Sequence, residues 1–150
     1  MKIRCIANTG ASLRENYLDP AVNRTTETVF RLTVGKEYVV YAIDEAEGNV
    51  WYYICDDNFI YYPQKHCAPL FEVVDDRVSK YWRFKLWDNG LLEVAFPHWL
   101  KDPYFYDKLT DQEPVEVDLF KRIKAVMDLE AETPPEATEA AEKELATALV

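Results

Sequence analysis

The chain has 150 residues, 49% of them hydrophobic, which suits one domain with a substantial core, with or without a tail. Its formal charge of −10 at pH 7 argues against nucleic acid or an anionic membrane as a direct partner, because phosphate contacts are made by Lys and Arg. The charge suits a basic partner, or simply solubility.

Residues 2–7 alternate Ile3, Cys5 and Ala7 against a mostly polar face and read as a first strand. Residues 8–26 are rich in Asn, Thr, Arg and Asp and read as a long exposed loop. The Val34-Gly35-Lys36 turn feeds a strand over 37–43, followed by a polar loop over 44–49. A partner strand follows over 50–55, then a tight Asp56-Asp57-Asn58 connection. Further strands are expected over 59–62, stopped by Pro63, and over 70–74.

Residues 79–96 read as a hairpin around Asp88-Asn89-Gly90. A three-residue loop with Gly90 left-handed sets Trp82 against Phe96, Phe84 against Val94 and Leu86 against Leu92 on an apolar side. Lys85 then faces Glu93 on the other side as an opposite-charge pair. Short helical turns broken at Pro103 are expected over 97–109. A helix is expected over 113–129, with Pro114 in its first turn and a stripe of Val115, Leu119, Ile123, Val126 and Met127. The expected division is a folded region over 1–129 and an acidic, Ala/Glu-rich tail over 130–150, mobile or transiently helical. From residue 128 onward seven acids face one base, a net of −6 within the chain's −10.

LTVGKEYVVYAI, an acidic loop, a Tyr-rich strand ending in CDD, and LFEVVD together resemble the SH3-like barrels of many short bacterial and phage proteins. The opening MKIRCIANTG resembles the first strand of those chains, so the resemblance covers residues 1–10 and 30–76. It implies a small SH3-like barrel; with the hairpin and helix read from the residues, the expected fold is mainly β with C-terminal helices, a barrel carrying an added hairpin and a C-terminal helix. The resemblance implies no catalytic motif. A weaker resemblance is to immunity proteins encoded beside toxins. The long loop and everything after residue 78 depart from the minimal barrel.

No chemistry-bearing motif appears. Cys5, Cys55, Cys67, His66 and His98 lack zinc-ligand spacing, and an acidic surrounding disfavours a Cys67–His98 nucleophile. The Asp56-Asp57 and Asp75-Asp76 pairs read as turn caps. No P-loop, dinucleotide or nucleophile-elbow motif occurs, and the chain has only four glycines. The positive signal is aromatic: Phe, Trp and Tyr make 14% of the chain, and Tyr52, Tyr53, Phe59, Tyr61 and Tyr62 crowd two expected strands.

The expected function is therefore non-enzymatic, with no cofactor and no metal. The chain reads as a cytoplasmic, immunity- or antitoxin-like module that occludes a basic toxin or nuclease. The expected partner-binding residues are Tyr52, Asp56, Asp57, Tyr61, Tyr62 and Trp99. The alternatives are a structural component of a phage or secretion assembly and a small metal-dependent hydrolase. The amino terminus has no apolar run of signal-peptide type, and no stretch approaches the roughly 20 apolar residues of a membrane span.

Overall fold

A computed structural model describes residues 1–58, 61–133 and 136–150. Its strands are β1 (Lys2–Cys5), β2 (Glu37–Val39), β3 (Ala42–Ala46), β4 (Asn49–Ile54), β5 (Gln64–Cys67), β6 (Phe71–Asp75), β7 (Arg83–Leu86) and β8 (Leu92–Ala95). Helices follow as α1 (Pro97–Lys101), α2 (Phe105–Thr110), α3 (Pro114–Glu132) and α4 (Glu136–Ala148). The fold is mainly β with C-terminal helices. The strands form two antiparallel sheets, in the orders β2-β1-β6 and β5-β4-β3-β8-β7. No helix among the described residues is long and apolar enough to cross a membrane.

The stretch expected as one strand over 37–43 is divided between the sheets. β2 pairs with β1, the chain passes through buried Val40 and Tyr41, and β3 then joins the larger sheet. This transfer leaves two open sheets in place of one continuous barrel wall. Phe71 at the head of β6 joins them, its ring meeting Tyr38 at 6.3 Å and Tyr52 at 6.0 Å, both edge-on.

The loop over 8–26 is more ordered than its polarity suggests. It contains three 3-10 turns, Gly10–Ser12, Glu15–Tyr17 and Pro20–Val22, and buries Leu13 and Tyr17. A Cβ at Gly10 would lie 1.8 Å from the Thr25 carbonyl oxygen, so the close approach of the loop's two ends requires glycine there. The strand expected over 59–62 is displaced. Tyr61 and Tyr62 lie in a bend, and β5 forms only after Pro63; Phe59 and Ile60 lie outside the described residues.

The hairpin has the expected register: Arg83 pairs with Ala95, Phe84 with Val94, Lys85 with Glu93 and Leu86 with Leu92. Gly90 has φ 87°. The faces, however, are reversed. Trp82 and Phe96 are buried at its base, but Phe84 is 76% and Leu86 67% exposed, while Glu93 is 8% exposed. The reason is tertiary. Helices α1 and α2 fold over the Glu93 side, with Trp99 and Tyr106 packing edge-on and within 5.2 Å of Tyr53, and Lys85 Nζ reaching the Leu100 carbonyl.

Helix α3 buries Phe120, Met127 and Ala131, with Ile123 partly covered. Of the expected stripe, Val115 is 75% exposed and Val126 38%, because Phe120 turns the buried line toward Tyr41, 5.5 Å away. The helix also continues past residue 129 to dock. Glu130 accepts from the Lys80 backbone N–H, and Arg77 donates to the Ala131 and Thr133 carbonyls. A cation at these terminal carbonyls complements the helix end. Asp75 holds the same guanidinium, which keeps its carboxyl at about 2. By contrast, the described side chains of α4 are all exposed. Deleting residues 136–150 should therefore leave the melting temperature nearly unchanged. Ending the chain at residue 129 should lower it by several degrees, from roughly 2 kcal/mol of lost hydrogen bonding at about 3 °C per kcal/mol. Thermal melts of the two truncations followed by circular dichroism test this, and equal melting temperatures would contradict it.

Candidate functional site: a buried acid pair in an aromatic pocket

The site begins with a turn. Glu47 and Gly48 have φ values of 53° and 82° and join β3 to β4 with Ala46 paired to Asn49. Positive φ at both central residues is the type I′ hairpin geometry, which suits a glycine in the second position. This short turn keeps Asp44 inside a strand. It sits opposite Trp51 on β4 and opposite Glu93 on β8. Alternation then places both acids on the face covered by α1 and α2.

Asp44 is 3% exposed and Glu93 8%. The Tyr53 hydroxyl donates to Asp44 Oδ2 at 2.9 Å, and Lys65 Nζ stands 3.8 Å from the same oxygen. Asp44 Oδ1 meets no N–H or hydroxyl donor among the described residues. Its neighbour across the strands is the second acid, Glu93. Burial, followed by the hydrogen bond and charge of Asp44, pushes the Glu93 carboxyl up to about 8. The Trp99 indole offsets part of that rise. The Trp87 indole N–H leans the same way without completing a hydrogen bond. At neutral pH the pair thus retains one proton, since two charges cannot share so dry a site.

Above the acids lies a pocket of about 270 Å³ walled by Tyr53, Trp87, Trp99 and Tyr106. Trp99 stacks on Tyr106, with centroids 5.4 Å apart and planes at 29°. Tyr106 is anchored by donating its hydroxyl to the Pro63 carbonyl at 2.8 Å. Lys85 Nζ lies 3.8 Å from the centre of the Trp87 ring, so one wall already accepts a cation. The arrangement joins π-faces to a carboxyl pair that can release its proton, which is a receptacle for positive charge.

The residues expected from sequence are dispersed. Trp99 is buried, 3% exposed, and belongs to the pocket wall. Asp56 is also buried, facing His66 Nε2 at 3.0 Å. Burial takes both off the surface on which they were expected to dock a partner, because α1 lays Trp99 against Tyr53 and β5 brings His66 onto Asp56. Asp57 is half-exposed and accepts from Thr33, Lys36 and Tyr38. Tyr61 and Tyr62 form an edge-on pair at 4.5 Å, and Tyr62 approaches Tyr106 at 6.5 Å. Tyr52 is half-buried against Phe71. Asp44 and Glu93 are absent from the expected set. The Glu47-Gly48 dipeptide is the signal for Asp44, since a two-residue turn extends the strand through it.

Burial pushes the thiols of Cys67 and Cys55 up, to about 11 and about 12, so neither is poised as a thiolate. Among the described residues no group of three or more His, Cys, Asp or Glu side chains is placed to hold a metal ion. Comparison of the chain with known protein families, with curated proteins and with solved structures finds no match.

Proposed function

We propose that this protein is a non-enzymatic binding module that captures a basic protein, its acid pocket receiving an arginine side chain. The observation that carries the reading is the Asp44–Glu93 pair, two buried carboxyls holding one proton beneath aromatic walls. A guanidinium is planar, stacks on rings and engages two carboxylate oxygens together, so it suits this pocket better than an ammonium. The chain's charge of −10 favours encounter with a basic surface, and the half-exposed Asp57, Tyr61 and Tyr62 add an acidic, aromatic surface. In this reading the role is immunity- or antitoxin-like: occlusion of a basic toxin or nuclease in the cytoplasm. The SH3-like pattern over 1–10 and 30–76 is read as a barrel opened into two sheets, and peptide capture on its rings is an argument from fold analogy.

N-propylguanidinium, an isolated arginine head, is the probe. Titrated at about pH 8.5, it should bind saturably in the millimolar range, reported by fluorescence of Trp87 and Trp99. Asp44→Asn should weaken it at least tenfold, or by about 1.4 kcal/mol, with the far-ultraviolet spectrum unchanged. No saturable binding, or equal binding by the variant, contradicts the reading.

A further inference from the structure

A second pocket, of about 240 Å³, is lined by Trp51, by β5 and by the loop over 22–31. Its charged lining is opposite in sign to the chain as a whole. Arg24, Arg31 and Lys65 line it together with a single acid, Asp56, and that acid is already engaged with His66.

The cations are held in place by structure. Asn23 adopts φ 57°, and Asp19 and Arg24 exchange backbone hydrogen bonds of 2.7 and 3.0 Å, which fixes where the Arg24 side chain leaves the loop. Arg24 donates through Nε to the Tyr17 carbonyl and has no ion pair among the described residues. Its guanidinium carbon sits 4.7 Å from the Trp51 ring centre, and Lys65 Nζ lies at the same distance from that ring. Trp51 therefore positions two cationic heads beside one pocket.

His66 also lines this pocket. It is 7% exposed, Nε2 faces Asp56 at 3.0 Å, and Nδ1 is buried with no partner among the described residues. A carboxylate on Nε2 fixes the tautomer that carries hydrogen there and leaves the Nδ1 lone pair as an acceptor. An unpaired buried acceptor is costly, and a ligand hydroxyl would satisfy it. Two cations and one acceptor together describe an oxyanion that still carries a proton.

We infer that this pocket binds a phosphate-class oxyanion, its charge on Arg24 and Lys65 and its P–O–H donating to His66 Nδ1. The site shares Lys65 with the acid pocket, since its Nζ also stands 3.8 Å from Asp44 Oδ2, but it does not rest on the role proposed for that pocket. Phe30 and the exposed Val22 and Val29 at the lip leave room for an apolar ester group.

The test uses the full chain, with inorganic phosphate, phenyl phosphate and sulfate as probes at low ionic strength, read by chemical-shift changes of the Trp51 indole and His66 ring. Phosphate should shift both saturably at millimolar concentration. Sulfate has no proton to give at neutral pH and should bind at least fivefold more weakly, while Arg24→Ala and Lys65→Ala should each weaken phosphate severalfold. Compared at about pH 5.5, where the monoester also keeps a P–O–H, tighter binding of phenyl phosphate than of phosphate assigns the site to a phosphomonoester; equal or weaker binding assigns it to the free ion. No saturable shift with either phosphate probe, sulfate binding as tightly as phosphate, or both well-folded variants binding as the parent does, would each overturn the inference.

Discussion

Stability should fall by on the order of 3 kcal/mol between about pH 5 and pH 8, and Glu93→Gln should remove that fall. The folded protein keeps the Glu93 proton up to about 8, whereas its ordinary value, close to that of an unfolded chain, is 4.5. Between those values the native state holds more protons than the unfolded state. Raising the pH therefore favours unfolding throughout that window and has no further effect through this group above it. Below the lower value its contribution is fully present. Glutamine preserves the shape and a donor toward Asp44 but does not titrate. The variant should match the parent near pH 5 and exceed it above pH 8. Urea denaturation across that range measures the difference, and parallel pH dependences for the two proteins would show that Glu93 carries no retained proton. Asp75 acts at the acid end with the opposite sign: its contribution is present above 3.8 and is lost as pH falls through about 2.

Affinity for a guanidinium should increase with pH, approaching tenfold per unit well below pH 8 and reaching roughly fiftyfold from pH 6 to pH 8. The cation takes the place that the proton holds between Asp44 and Glu93, so each binding event in this range expels that proton. Guanidinium remains charged throughout, which leaves the carboxyl pair as the source of the slope. In Glu93→Gln the pocket has no proton to expel, and binding should be weak and flat with pH. A steep slope that persists in the variant would place the titrating group elsewhere.

Much of the β structure was legible because turn chemistry is local. Gly90 in a three-residue loop fixed the hairpin register, and that register is observed. What local pattern could not decide was which face meets the rest of the protein. Phe84 and Leu86 make the better apolar face by composition, yet α1 and α2 return from later in the chain and cover Lys85 and Glu93. The same tertiary event buries Trp99, which composition placed on a binding surface. Asp44 was hidden by reading residues 44–49 as one polar loop; the two-residue Glu47-Gly48 turn instead leaves it in a strand, facing inward. His66 and Asp56 are ten residues apart and meet only because β5 pairs with β4. No spacing rule reports such a pair. Phe120 displaced the expected stripe of α3 because its ring finds Tyr41, a contact between residues far apart in the chain.

In the proposed reading the acid pocket exchanges one proton for one organic cation. Calorimetric titration with N-propylguanidinium near pH 7, in two buffers of different ionisation enthalpy, counts the protons released. The parent should release about one proton per cation bound, and Glu93→Gln none. Binding by the parent with no proton release would contradict it.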